Sequence, residues 1–370
     1  MIKIVVIVIL IAALLLLGLS FYWGKLFKRI VSLTKIKTDG KAFKIIHVIL
    51  SIVAAVATVN IFSGVGIILL HIVAFSLITE LINLIIKAVM SDKKNIHWEK
   101  IYKSLVIPII ASAAVFAYGF YNIRQVIETD YTVKTSKNIS QNYRILLIAD
   151  VHFGTNIDEE RLEKVCNEMN ETNPDVVILC GDIVDENTKR AGVDTAFDTL
   201  AKIKSTYGTY FVYGNHDRSR YNGNKNFSAN DVVNALNRNG IKILSDETAE
   251  INGEITLAGR EDRSIERMSS DEILRNTDKD NFIILLDHQP EEYKENSENG
   301  ADLQLSGHTH AGQIFPAGYF IKWFRMADLY YGITTENDMT GIVTSGLVGW
   351  GYPIRTQEHS EYVVIYSHLI

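Results

Sequence analysis

Cysteine is scarce. Only Cys166 and Cys180 occur in 370 residues, one in an expected helix and one in an expected strand. Their spacing is not that of metal-binding thiols, so a thiolate metal site is excluded. Two reduced core thiols are expected, with a single disulfide as the alternative. Net charge is also slight, at −6, and no basic stripe marks the second part of the chain. Nothing therefore points to a nucleic-acid partner. There is no internal repeat and no low-complexity tract. The first three hydrophobic runs lack the charged or proline-broken set that would suggest a transport pathway.

Long apolar runs, by contrast, dominate the first 125 residues or so. Four stretches, Ile2–Trp23, Ala42–Phe62, Gly66–Met90 and Ser104–Ile123, approach or exceed the roughly 18–20 residues that cross a bilayer. The first lacks a small-x-small cleavage site and carries its charge on the wrong flank for a signal peptide. Lys25, Lys28, Arg29, Lys35, Lys37, Lys41 and Lys44 lie between or beside the first two runs. Lys87, Lys93, Lys94, Lys100 and Lys103 lie around the connection of the third to the fourth. The positive-inside rule places both basic loops in the cytoplasm, and hence everything after Ile123 outside. The expectation is a multi-pass cell-membrane protein with an extracytoplasmic domain. His71 and Glu80, ionisable within the runs, are expected to bond to neighbours such as Asn60 or Asn83.

Residues 1–123 thus read as a transmembrane region of four helices, 124–142 as a polar linker or stalk, and 143–370 as a separate domain. In that domain short strands are expected at Arg144–Ala149, Asp175–Cys180, Thr209–Tyr213, Ile241–Leu244, Ile255–Ala258, Phe282–Leu286, Asp302–Leu305, Gly341–Thr344 and Tyr362–Tyr366, each rich in Ile, Val, Leu or Tyr. Helices are expected at Asp158–Asn170, Thr195–Lys204, Asn230–Asn239 and Asp271–Asn276. The alternation implies an α/β layered fold, whose ligands gather beyond the carboxyl ends of the strands.

Five motifs fall there: Asp150-Val151-His152, Gly181-Asp182-Ile183-Val184-Asp185, Gly214-Asn215-His216-Asp217, Asp287-His288-Gln289-Pro290 and Gly307-His308-Thr309-His310. Asp, Asn and His share the ability to bind divalent metal through oxygen or imidazole nitrogen. Asp150 and His152, at i and i+2 on a strand end, face one side, as do His308 and His310. Asp182 has two oxygens and can bridge two ions. Asn215 offers a carbonyl oxygen, and His288 a further imidazole. Gly181, Gly214 and Gly307 each precede a ligand at a sharp turn, where the missing Cβ lets the backbone bend or approach closely. Any one motif alone reads better as a turn or surface feature. All five in order read as a double metal centre.

The whole pattern resembles the calcineurin-like metallophosphoesterase superfamily over about Tyr143 to Ile370. Its signature is Asp-x-His, Gly-Asp-x-x-Asp, Gly-Asn-His-Asp/Glu, a later His, then Gly-His-x-His. The membrane runs, the stretch Gly307–Gln313 and the tail from Thr344-Ser345-Gly346-Leu347 to Pro353-Ile354-Arg355 look like its bacterial membrane-associated branch, which includes enzymes similar to UDP-diacylglucosamine pyrophosphohydrolases. The resemblance implies two mixed β-sheets sandwiched between helices. It also implies two divalent ions, manganese foremost with iron or zinc as alternatives. One would be held by Asp150, His152, Asp182 and His310, the other by Asp182, Asn215, His288 and His308.

Two ions about 3.5–4 Å apart can hold a phosphate and lower the pKa of a bridging water. The expected reaction is attack of the resulting hydroxide on a phosphodiester or pyrophosphate bond, with a lipid or cell-envelope substrate left open. By the same resemblance His216 is the catalytic imidazole at the leaving oxygen, and Asp217 would orient it. Asp185 reads as a supporting residue. Arg355 is the candidate for binding the phosphate, with a surface salt bridge as the alternative, and Arg260 and Arg263 carry the same ambiguity. The segment Phe315–Tyr331 mixes aromatics with Lys322 and Arg325, as a membrane-surface element does, with ordinary core packing of a loop as the other reading. The alternatives are a phosphomonoesterase, or a non-catalytic metal-binding receptor or scaffold.

Overall fold

The computed structural model describes residues 2–61, 63–89, 96–219, 221 and 226–369. Phe62, Met90, Lys93 and Lys94, which figure in the runs and basic loops above, lie outside them. The chain divides into two compact units, Met1–Ala117 and Tyr118–Ile370.

In the first unit, helices α1 (Ile2–Val31), α2 (Lys41–Val59) and α3 (Gly64–Val89) are long and apolar enough to cross a membrane. The fourth run is not one straight helix. It is α4 (Ile96–Ser104) and α5 (Val106–Asn122), bent by 53° about Leu105, whose φ is 59°. The first unit therefore has three such helices, or four if the bent pair counts as one span. Trp23, Leu26, Ala55, Val73 and Leu105 form its small core, while most other Ile, Leu and Val side chains point outward, as they would toward lipid. The intramembrane ionisable groups have partners. His71 Nδ1 donates to the Ile67 carbonyl at 2.8 Å. Glu80 pairs not with an asparagine but with Lys25 at 2.6 Å and Arg29 at 3.2 Å.

The second unit contains two six-stranded mixed sheets. The first takes β1 (Val126–Thr135), β12 (Ser360–Leu369), β2 (Arg144–Ile148), β3 (Val176–Cys180), β4 (Thr209–Val212) and β5 (Lys242–Ile243), in that order. The second takes β10 (Gly332–Glu336), β11 (Met339–Val343), β9 (Leu303–Ser306), β8 (Phe282–Leu286), β7 (Ile255–Gly259) and β6 (Glu247–Ile251). Within the first sheet β2 to β5 run parallel, and β12 is antiparallel to β2.

Side-chain alternation builds the layers. Ile145 and Leu147 of β2 face a core shared with Ile284, Leu286 and Leu305 of the other sheet. Leu146 and Ile148 face the opposite side, toward helices α6 (Glu159–Glu171), α7 (Arg190–Leu200) and α8 (Ala229–Arg238). Ile283 and Leu285 of β8 likewise turn outward under α9 (Ser270–Leu274) and α10 (Tyr293–Glu298). The result is a helix–sheet–sheet–helix sandwich. Cys166 and Cys180 are buried free thiols in different cores. Burial pushes the Cys166 pKa up to about 12.

The polar segment 124–142 is not a stalk. It supplies β1, an edge strand parallel to β12 over ten residue pairs. The end of α5 belongs to the same unit: Asn122 Nδ2 donates to the carbonyls of Arg355 and Glu358, and Ser360 Oγ to that of Ile123.

Glu361 on β12 ties the two sheets together. It is buried, and its carboxylate accepts from Thr129 Oγ1 of β1, from Thr344 Oγ1 and Ser345 N after β11, and from the Tyr331 hydroxyl before β10. Burial works to raise its pKa, but His359 and these donors outweigh it and hold the carboxyl below its ordinary value. A folded pKa below the unfolded one means that the stabilisation is complete above about pH 4.3 and is lost as pH falls through the lower folded value. Glu361→Gln should cost roughly 2 kcal/mol at pH 7. The gap in unfolding midpoint between wild type and variant should close below about pH 4. A gap that stays constant to pH 3 would show that the carboxylate charge is not what binds the sheets.

Candidate metal centre

The five motifs meet where the carboxyl ends of the two sheets converge: three follow β2, β3 and β4, and two follow β8 and β9. Asp150, His152 and His310 form one group of ligand atoms within 4.8 Å of one another, and Asp182, His288 and His308 form another. The sequence reading divides these six residues in the same way, but it also gives Asp182 to the first set, and here Asp182 falls in the second group alone. Asn215, which completes the second on paper, is buried beside them with its Oδ1 unpartnered among the described residues.

The local backbone explains how the ligands are aimed. Asp150, His152, Asp182, His308 and His310, five of the seven candidates, hold positive φ between 41° and 71°. That conformation costs a non-glycine residue about 1 kcal/mol or more and persists only where surrounding structure enforces it. The neighbouring glycines are required by contact: a Cβ on Gly307 would lie 2.5 Å from Asp150 Oδ2, and one on Gly214 would strike the Asp182 carboxylate.

Second-layer bonds orient each donor. His288 Nδ1 donates to the Cys180 carbonyl at 2.8 Å, which turns Nε2 toward Asp182 Oδ2, 3.1 Å away. His152 Nδ1 lies 3.3 Å from Asp185, whose carboxylate also accepts from Thr155 and Asn187. Asp150 Oδ2 accepts the His308 N–H, which leaves Oδ1 facing His310 Nε2 at 3.6 Å and His152 Nε2 at 3.9 Å.

Asp150 Oδ1, His152 Nε2, Asn215 Oδ1 and His288 Nε2 are buried with no hydrogen-bond partner among the described residues. Burial above all lowers the His308 pKa to about 4, and burial with His152 and Arg355 holds His310 well below its ordinary value. Both are therefore neutral at pH 7, with lone pairs available. Buried, converging, unsatisfied acceptors are costly unless cations sit among them. The residues present fit two divalent ions, one at each group.

Three expectations change. Asp217 does not touch His216. Its fully buried carboxylate accepts from the backbone N–H groups of Asp182, Ile183, Val184 and Gly214, tying the β3 loop to the β4 loop. His216 is held instead by Glu186, whose oxygens lie 2.8 and 2.9 Å from Nδ1. Burial opposes charge on His216, but Glu186, with Asp182 and Asp185 behind it, pushes its pKa up to about 9; a dication beside it would act in the opposite sense. Its ring also lies 5.5 Å from Trp350 and 5.2 Å from Tyr221. The only signal for Glu186 was an acid immediately after the Gly-Asp-x-x-Asp motif.

Arg355 does not reach toward a phosphate. It is completely buried, and its guanidinium donates to the carbonyls of His310, Ser345 and Val348. Burial lowers its pKa to about 10, so it stays charged at neutral pH. Nor are Arg260 and Arg263 free for an anion: Arg260 pairs with Asp287 and Glu292, and Arg263 with Glu291.

The family model of calcineurin-like phosphoesterases matches residues 143–312. The chain belongs to this family of metal-dependent phosphoric ester hydrolases. It is 33% identical over 198 residues to an uncharacterised metallophosphoesterase of Aquifex aeolicus, covering 52% of this chain and 72% of that protein. It is 32% identical over 260 residues to an uncharacterised metallophosphoesterase of Helicobacter pylori, covering 68% and 67% of the two chains. It is 30% identical over 275 residues to a "transmembrane protein with metallophosphoesterase domain" of Danio rerio, covering 70% of this chain and 62% of that protein.

The Arg355 assignment can be tested. Arg355→Ala leaves three buried carbonyls unpaired and opens a void, so it should lower stability by about 3 kcal/mol and reduce bound metal through the His310 turn. Arg355→Lys keeps the charge but not the planar fork, and should recover only part of the loss. Unchanged unfolding and metal content with a raised KM alone would return Arg355 to the phosphate.

Proposed function

We propose that the chain is a membrane-anchored, dinuclear-metal phosphoesterase that hydrolyses a phosphodiester or pyrophosphate bond in an amphiphilic substrate. One observation carries the reading. Two groups of converging ligand atoms, Asp150 with His152 and His310, and Asp182 with His288 and His308, lie at the meeting edge of the two sheets, several of them buried without a hydrogen-bond partner among the described residues. Bound there, two divalent ions, manganese foremost, would supply charge neutralisation for the phosphate and a lowered pKa for water.

The chain's own residues do the rest. Asp150 and His152 with His310 would hold one ion, and Asn215 and His288 with His308 the other, with Asp182 shared. Asp185 fixes the ring of His152. Glu186 binds Nδ1 of His216 and so leaves Nε2 to carry a proton to the departing oxygen. Asp217 is a positioning residue that holds the backbone of the Asp182 loop.

Membrane placement rests on the apolar helices and on the basic loops around them, which favour a multi-pass cell-membrane protein with the catalytic unit on the extracytoplasmic side. An amphiphilic substrate is supported by α11 (Ala317–Trp323), which follows the His310 turn by a few residues. Phe315, Phe320, Trp323, Phe324 and Met326 around it are all exposed, beside Lys322 and Arg325. Aromatics with cations on one short surface element suit the headgroup region of a bilayer. Only residues 123–125 separate α5 from β1, which favours substrates at the membrane surface.

Purified protein stripped with chelator and titrated with manganese should hydrolyse bis(p-nitrophenyl) phosphate faster than p-nitrophenyl phosphate. Asp182→Asn should abolish the turnover. Absence of metal binding would overturn the reading, and a preference for the monoester would replace the diester assignment. Replacing Trp323 and Phe324 together by Ser should spare the soluble diester and lower turnover of a lipid-linked phosphodiester about tenfold, the equivalent of one buried aromatic contact. Equal effects on both substrates would remove α11 from substrate selection.

A further inference from the structure

The first unit contains a cavity of about 710 Å³ bounded by α1, α2 and the end of α4. Its walls are apolar at one end, with Leu17, Phe21 and Ile52, and cationic at the other, with Lys28, Arg29 and Lys103. From Leu17 to Lys28 is roughly 16 Å along a helix, about the distance from the bilayer midplane to the headgroup. We infer that this cavity binds one anionic phospholipid, with its phosphate between Lys28, Arg29 and Lys103 and an acyl chain along Leu17 and Phe21.

Arg29 points to the ligand most directly. It is 8% exposed. Its Nη1 lies 3.2 Å from Glu80, its Nη2 donates to the Tyr102 carbonyl, and its guanidinium lies over the Tyr102 ring. Its Nε, also buried, has no partner among the described residues. A buried charged donor without an acceptor is costly, and an oxygen of a bound phosphate would satisfy it.

Charge agrees. Four cations line the cavity once Lys25 is included. Two carboxylates offset them, Glu80 on Lys25 and Arg29 and Glu99 on Lys103. A net positive end remains, with Lys28 exposed at its mouth. The wall between α1 and α2 is fixed by His47 Nε2 donating to the Gly24 carbonyl at 2.9 Å. A basic recess between membrane helices favours an anionic headgroup over a zwitterionic one, and the apolar walls favour a lipid over a free anion.

The inference does not depend on the metal centre, so its test reads no catalysis. Native mass spectrometry of the full chain in detergent, offered equimolar phosphatidylglycerol and phosphatidylcholine, should show one retained phosphatidylglycerol. The preference should be roughly thirtyfold, the scale of two cations near a headgroup. Lys28→Ala with Lys103→Ala should bring the two lipids to near equality, while Lys41→Ala, outside the cavity, should change nothing. Lys28→Ala alone, at an exposed position, should cut the preference severalfold if the double variant folds poorly. Equal retention of both lipids by wild type would overturn the site, as would a preference unchanged in the variants. Displacement of the lipid by millimolar inorganic phosphate would overturn the lipid in favour of a soluble anion.

Discussion

The constraint on which the second unit depends is electrostatic. Two carboxylates, an amide oxygen and four imidazoles are brought together out of water, and several of their acceptor atoms meet no donor among the described residues. Without cations such an arrangement opposes folding, because desolvation and lone-pair repulsion act in the same direction. With them the same atoms become a binding site whose metal affinity adds to folding stability. Holding the ligands apart from one another yet aimed inward requires a stiff frame. The two packed sheets supply it, with turns after β2, β3 and β9 that force side-chain-bearing residues into positive φ.

The frame extends one layer outward, where neighbouring acids take different tasks because their surroundings differ. Asp217, ringed by four backbone N–H groups, becomes a strut between loops. Asp185, beside an imidazole and a hydroxyl, fixes His152. Glu186, one residue further on, reaches His216. Residue type alone does not separate these roles. The direction of the chain after β3 does.

This also explains how much could be read in advance. All nine strands expected from apolar runs exist; eight lie inside the sheets, where a strand buried on both faces must be largely apolar, and the ninth, β5, is a two-residue edge strand. The three that escaped notice, β1, β6 and β10, are all sheet edges. Their partly exposed, polar sequences, such as Val126–Thr135 with its alternating burial, look like linker. Helix α7 begins five residues before its expected start because its first turn lacks a capping side chain to announce it. The candidate ligands that converge in the fold stand out in the sequence because metal-binding chemistry admits few substitutes at the end of a strand. Arg355 was misread because an arginine serves a phosphate or a cluster of carbonyls equally well. Only the fold shows three carbonyls around it. Asp217 was misread because adjacency to His216 in sequence is not adjacency in space.

The disposition of the other cations bears on specificity. Arg260 and Arg267 are committed to Asp287 and Glu292, Arg218 to Glu261, and Arg355 to main-chain carbonyls. Among these arginines, none is left to meet a phosphate by a bidentate guanidinium contact. The ions that the two ligand groups would hold attract the anionic centre of any phosphoester alike. Discrimination has to come from groups that contact the rest of the molecule. The surfaces near the ligand loops that could do so are aromatic: Trp350 and Tyr221 against His216, and the exposed rings around α11 beyond His310. Such surfaces reward apolar and flat moieties rather than additional charge, and for this reason selection among phosphoesters should follow the leaving group and its attached chain more than the phosphate itself.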